Sequence, residues 1–241
     1  MENLLREEFT IKETIVKIIS DSGEAIDAAK EDIFQRRKEI ENYISGNPEF
    51  NSSFGPLSVG GSAPEIVKKM ASAACLAGVG PMAAVAGAIA ESAVRAMMEN
   101  GAKIAVVENG GDCFAIVDRN FRAGIFAGEN KISNKLAFEL EKGTEIAFCS
   151  SSGKFGHSTS LGKCDLATVF AESGAVADAF ATALANRVKG EEDIASALNW
   201  IKQAKDVQGA LIIKSGKIGL VGELPKIFKN QDQFLLAKIT Q

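Results

Sequence analysis

The chain has 241 residues, 46% of them hydrophobic, with a formal net charge of −4 and a pI near 5.3. That is enough apolar material for a sizeable core, and with no dense Lys/Arg run to attract a polyanion, a nucleic-acid partner is not expected. Cys75, Cys113, Cys149 and Cys164 lie far apart with no Cys-x-x-Cys pair, so neither a zinc site nor a redox dithiol is indicated and reduced, partly buried thiols are expected.

The opening MENLLREEFTIKE mixes charges without a long apolar run, which gives no secretory or lipoprotein signal and leads to the expectation of a cytoplasmic protein. Phe9 to Ile19 alternates imperfectly between β-branched and polar residues and predicts a strand, ended by the Ser22-Gly23 turn. From Glu24 to Ile44, Ile26, Ile33, Ile40 and Ile44 recur near the helical period among charges, and Gly46-Asn47-Pro48 supplies the stop. Asn51 to Ser62 reads as a loop, and Pro64-Glu65 as the first turn of a helix through Ala74.

A second helix is predicted in AGVGPMAAVAGAIAESAVRAMMENG, ended by Asn100-Gly101, its many small residues allowing another element to approach closely. The region Ala71 to Ala96 is long and apolar, but Pro81, Ser72, Ser92, Glu91 and its glycines interrupt it, so no membrane span is expected. Gly78-x-Gly80-x-x-Ala83 approximates a dinucleotide fingerprint without the strand that should precede it, whereas a phosphate could still meet free N–H groups at such a helix start.

The next section is β-rich. Lys103 to Val107 and Cys113 to Val117 are apolar runs joined by Glu108-Asn109-Gly110-Gly111-Asp112, and Asn-Gly is a strong hairpin signal. The turn needs no further explanation, although paired glycines also let a backbone approach a ligand, with Asp112 at hand for a ribose or a metal. Further strands are predicted at Phe121 to Ala127, Lys135 to Leu140 and Thr144 to Cys149. After residue 186 come an acidic helix start at Glu191-Glu192-Asp193, an amphipathic stretch to Ala204 and a last hairpin, ALIIKSGKIGLV, turning at Ser215-Gly216. With no internal repeat and no linker in view, one α+β domain over residues 1–241 is the economical reading.

Chemistry concentrates between Cys149 and Asn186, in CSSSGKFGHSTSLGKCDLATVFAESGAVADAFATALAN. Asp178 is the only charge between Glu172 and Arg187, and it shares a helix face with Thr182 at i, i+4. Burying an unpaired carboxylate is costly, so Asp178 needs a cation, a backbone donor or solvent as its partner. Asp and Thr could serve Mg²⁺, which takes one or two carboxylates beside substrate phosphates, or they could serve the helix itself as an early acid and a hydroxyl bonded back to a carbonyl. By pattern alone the structural reading leads. His157, the only histidine, could act as a general base or stand as a solvated turn residue. A Ser-His-Asp triad lacks its Gly-x-Ser-x-Gly elbow, and Ser150, Ser151 and Ser152 are better suited to hydrogen-bonding a phosphate or carboxylate.

Three segments in order, VVENGGDCFAI, AFCSSSG and ESGAVADAFATAL, resemble the ApbE superfamily of FAD:protein FMN transferases over Ile104 to Ala185. GVGPMAAVAGAIAE, ENGGD, SSSGKFGHSTSLGK and ADAFATA together resemble its UPF0280 branch. The resemblance implies a single ApbE-like domain with mostly antiparallel sheets packed against helices. It implies Mg²⁺ at Asp178 and Thr182, and FAD or FMN, or a related anionic nucleotide, approached by Asn109, Gly110, Gly111 and Asp112 and lined by Ser151, Ser152 and Gly153. It further implies His157 as base, a protein acceptor for the transferred group, and no membrane or nucleic-acid partner. His157 is followed by STSLGK, where the transferases carry an Ile-x-Asp-Pro-x-Thr-Gly block. The UPF0280 branch is also associated with sulfide assimilation into homocysteine, and a scaffold that kept the fold without the chemistry is a third reading.

Overall fold

The computed structural model describes residues 4–12, 14–124, 136–153 and 163–229. It begins with an antiparallel hairpin, β1 (Leu5–Ile11) and β2 (Thr14–Ser20), where the sequence predicts one strand. Lys12 takes the left-handed φ of 52° at the reversal, so Ile11 pairs with Thr14 and the imperfect alternation belongs to two strands. Then come α1 (Gly23–Gly46), whose first turn is capped by the Ser22 hydroxyl accepting the Ala25 N–H, a short α2 (Glu49–Ser52) and α3 (Glu65–Ala77). A 3-10 turn, Pro81–Ala84, leads into α4 (Val85–Glu99).

The hairpin β3 (Ile104–Asn109) and β4 (Asp112–Val117) comes next in the chain, and after it β5 (Phe121–Gly124), β6 (Leu136–Leu140), β7 (Glu145–Ser151) and β8 (Leu166–Ala171). The remaining elements are α5 (Gly174–Asn186), a 3-10 turn at Glu191–Asp193, α6 (Ile194–Ile201), the hairpin β9 (Gly209–Lys214) and β10 (Lys217–Gly222), and β11 (Lys226–Lys229). The predicted strand over Phe121–Ala127 is described to Gly124, and its remainder lies outside the described residues. Strand β8 escapes sequence reading because every one of its residues is buried. A strand covered on both faces shows no alternation.

Eight strands form one antiparallel sheet in the order β1-β2-β3-β4-β7-β8-β9-β10, so the chain crosses it as a meander interrupted by helices. Side chains alternate between the two faces. Ala105, Val107, Phe114, Ala147 and Cys149 face the helices, while Ile104, Val106, Cys113, Ala115, Ile146 and Phe148 face a three-stranded sheet, β11-β6-β5. Phe138 from the small sheet meets Phe170 edge-on at 4.9 Å in that second layer.

Among the described residues no single helix is long and apolar enough to cross a membrane. Only α3 taken together with Pro81–Glu99 has the length and composition, and that pair bends by 103°. Gly80 has a packing task rather than a nucleotide one: a β-carbon there would stand 1.8 Å from the Ser53 carbonyl oxygen.

The crossing of α4 and α5 decides where the buried acids of the two helices meet their partners. A β-carbon on Gly87 would lie 2.2 Å from the Gly174 carbonyl oxygen, and one on Gly174 equally close to that of Gly87. Only glycine admits this approach. The two helices carry the same five-residue pattern there, Gly87-Ala-Ile-Ala-Glu91 and Gly174-Ala-Val-Ala-Asp178. Each acid reaches across: Glu91 Oε2 accepts the Gly174 N–H at 2.8 Å, and Asp178 Oδ2 accepts the Gly87 N–H at 2.9 Å.

Candidate functional site

The β3–β4 turn is the first wall of the site. Asn109 and Asp112 form its closing pair, with Gly110 at φ 67° and Gly111 at φ 109° between them. Two successive positive φ angles are what a tight right-twisted hairpin requires, and glycine adopts them without steric cost. Both flanking side chains project onto the helix face of the sheet. Asn109 Nδ2 donates to the Ala86 carbonyl at 3.1 Å, which fixes the amide and leaves Oδ1 buried with no partner among the described residues. Asp112 Oδ1 accepts the Ser150 N–H at 3.2 Å.

Strand β7 ends beside this turn, with Cys149 paired to Asp112. The three serines after it sort into different tasks. Ser150 Oγ lies 2.9 Å from Thr168 Oγ1 on the other face, and Ser152 Oγ donates to the Cys164 carbonyl, which also accepts the Gly153 N–H at 3.0 Å. Ser151 Oγ faces the helices, buried and without a partner among the described residues. His157 lies outside the described residues.

Helix α5 supplies the second wall. Asp178 and Thr182 are both buried one turn apart. Of the three partners open to Asp178, the structure supplies a backbone donor: its carboxylate accepts from Gly87 and also from Ala86, at the start of α4, where the helix dipole favours an anion. These bonds do not offset burial, which pushes the Asp178 carboxyl up to about 7. Asp112 is pushed well above the usual carboxylate range, by burial first and then by the charge of Asp178. Among the described residues no Lys or Arg charge lowers either group. The Cys149 thiol beneath them is pushed up by burial and by both carboxylates, and sits 3.6 Å from the Gly174 carbonyl.

Two buried carboxylates, each raised in pKa and one repelling the other, form an arrangement that a cation would relieve. No three His, Cys, Asp or Glu side chains gather as a complete metal cage among the described residues. The donors at hand, the Asp178 carboxylate and the Thr182 hydroxyl, are hard oxygens in the small number Mg²⁺ takes when substrate phosphates complete its shell. The residues present therefore fit that ion.

Three further residues shape the site without having been singled out from the sequence. Glu91 caps α5, accepting from Ser173 Oγ at 3.1 Å as well as from Gly174. It is the only charge between Lys69 and Arg95, the same signal that marked Asp178. Gly87 lets Asp178 approach α4. Glu108, buried on the face opposite the carboxylates, accepts the Gly111 N–H at 2.7 Å through Oε1, with Lys17 Nζ 3.5 Å from Oε2.

The family model described as AbpE bacteria matches residues 3–220. A UPF0280 protein of Archaeoglobus fulgidus is 42% identical over 238 residues, 97% of this chain and 99% of that one. A UPF0280 protein of Methanocaldococcus jannaschii is 38% identical over 235 residues, 95% of each. Among solved structures, the flavin transferase ApbE of Vibrio cholerae shares the fold at TM-score 0.57 and 13% identity, over 95% of this chain and 97% of that one. The ApbE protein of Thermotoga maritima shares it at the same TM-score, identity and coverage.

Proposed function

This chain belongs to the UPF0280 family, a branch with the ApbE-like fold, and from that premise we propose that it binds a flavin nucleotide, FAD or FMN, together with Mg²⁺ between α5 and the β3–β4 turn. The observation that carries this reading is the buried Asp112–Asp178 pair, which no Lys or Arg neutralises among the described residues. Asp178 and Thr182 are the residues that would hold the ion. Bound there, Mg²⁺ would neutralise phosphate charge and polarise a phosphoryl oxygen.

The rest of the site acts on the ligand directly. Gly110 and Gly111 carry no side chain to keep a planar ring or phosphate from the backbone. Asn109 Oδ1 is an acceptor waiting for a donor, and Ser151 Oγ can do either. Ser152 and Gly153, tied to Cys164, hold the start of the serine loop beside them. Transfer of FMN to a hydroxyl of an acceptor protein, with His157 taking its proton, extends the same reading, as do a single domain over residues 1–241 and a cytoplasmic setting.

Titration of the protein with FAD, with and without Mg²⁺, tests the proposal. Flavin fluorescence quenching that requires Mg²⁺ in the wild type and is lost in Asp178→Ala supports it. Quenching equal in both proteins, or absent from both, rules it out. AMP release on adding a candidate acceptor then tests transfer separately from binding.

A further inference from the structure

Glu108 occupies a position where the fold asks for an apolar side chain. It alternates with Ile104 and Val106 along β3 and pairs across to Cys113, all three in the core between the two sheets. Its carboxyl is 4% exposed, and burial pushes it to about 7. An acid there adds nothing to apolar packing. What it does is reach the turn: the ladder closes at Asn109 and Asp112, leaving the buried Gly111 N–H outside it, and Glu108 Oε1 accepts that N–H at 2.7 Å. Strand β2 backs the same turn twice, through the Gly110 N–H to the Ile15 carbonyl at 3.2 Å and through Lys17 to Glu108.

We propose that Glu108 is a positioning residue for the ligand site: by accepting the Gly111 N–H it fixes the glycine turn in the geometry that sets Asn109 and Asp112 opposite Asp178. The inference rests on the proposed nucleotide site. Glycine gives the turn its shape and also leaves it free to adopt others, because Gly110 and Gly111 have wide alternatives once that bond is gone. A residue that touches no ligand thus controls whether two that do are presented together. The requirement is for an acceptor at the right reach and not for a negative charge.

Two conservative variants separate these requirements while keeping a polar residue at the position. Glu108→Gln keeps an oxygen at the same reach and removes the charge, whereas Glu108→Asp keeps the charge on a carboxylate one methylene shorter. Each is assayed for exchange protection of the Gly111 amide by NMR and for affinity toward FAD with Mg²⁺. Wild type and Glu108→Gln are expected to agree within about threefold in both measurements, while Glu108→Asp loses about tenfold or more in each, the scale of one unsatisfied buried donor. Gly111 protection retained in Glu108→Asp, affinity retained despite lost protection, or Glu108→Gln failing as badly as Glu108→Asp overturns the proposal. A wild type that binds no flavin nucleotide overturns the site reading and the positioning role with it. Wild-type binding with Glu108→Asp unaffected overturns the positioning role alone.

Discussion

The two ends of the α4–α5 crossing are built from the same parts and differ in one respect. At each, a Gly-Ala-x-Ala-acid segment presents a buried carboxylate to the N-terminus of the opposite helix and accepts the glycine N–H there. Glu91 has a cation beside it, with Lys69 Nζ 3.6 Å from Oε1. Asp178 has another acid, Asp112. The Glu91 end is thus electrostatically complete as a joint between helices. The Asp178 end performs the same joint and is left with surplus negative charge. Capping accounts for why an acid stands at either place; it does not account for two acids together, and that excess is what marks one end as a seat for a cation.

The most severe way to break the comparison is to remove what both ends share. Gly87→Ala or Gly174→Ala places a β-carbon 2.2 Å from a backbone oxygen that cannot rotate away, and on Gly87 also 2.8 Å from Asp178 Cβ. Overpacking of this kind costs about 3 kcal/mol or more when backbone must shift. Both variants are expected to show that loss in urea denaturation, and Gly87→Ala to lose the Mg²⁺ response as well.

Substitutions at the acids separate the two ends with a smaller loss. Glu91→Ala leaves the Gly174 N–H and Ser173 hydroxyl without their acceptor and is expected to cost about 1–3 kcal/mol, while the rise in Tm caused by Mg²⁺ persists. Asp178→Asn keeps an oxygen for the Gly87 N–H and removes the surplus charge. It is expected to leave stability at pH 8 unchanged or higher, and to abolish the Mg²⁺ response, because a ligand stabilises only the state that binds it. The opposite assignment, with Mg²⁺ dependence lost in Glu91→Ala and kept in Asp178→Asn, would sink the distinction between the ends.

The sequence carried much of one end and little of the other. Asp178 and Thr182 stood out because a lone charge interrupts an apolar helix, and Asn109 to Asp112 because Asn-Gly is a turn signal that needs no tertiary information. Glu91 gave the same lone-charge signal, yet it entered the reading only as a break in a possible membrane span. Its partner is 83 residues away, and the partner of Asp178 is 91 away, so which donor each acid meets is decided by how the helices cross. That crossing is invisible to a periodicity argument. Strand β8 was hidden for a different reason, having no polar face to mark its period, and the reversal at Lys12 because one side chain there adopts a conformation usually left to glycine.

A smaller effect lies in the pH dependence of the metal-free protein. An unfolded Asp titrates near 3.8 and Asp178 in the fold near 7, so between those values the folded state holds the extra proton. Stability therefore falls as pH rises through that window, by at most about 1.4 kcal/mol per pH unit for this group, and levels off above it. Asp178→Asn is expected to flatten the slope without removing it, since Asp112 and Glu108 are raised in the same direction. A cation must displace the proton, so the Tm gain from Mg²⁺ is expected to grow from pH 5.5 to pH 8, a range taken as about 1.5 units below and 1 above the midpoint.

The smallest effect is the sharpest test of what distinguishes the ends. Lys69→Met removes the cation from Glu91, and if the absence of a counter-ion were all that defined the Asp178 end, this variant would acquire a second Mg²⁺ site. Lys69 is more than half exposed, so its pairing with Glu91 is screened and its loss is expected to change stability by about 0.5 kcal/mol or less. Glu91 also keeps both its Gly174 and Ser173 donors, which hold its Oε2 without help from Lys69. What it does not acquire is a second carboxylate. Calorimetric titration of Lys69→Met with Mg²⁺ is accordingly expected to show the wild-type stoichiometry. An added site would mean that one capped acid suffices, and that Asp112 is dispensable at the other end.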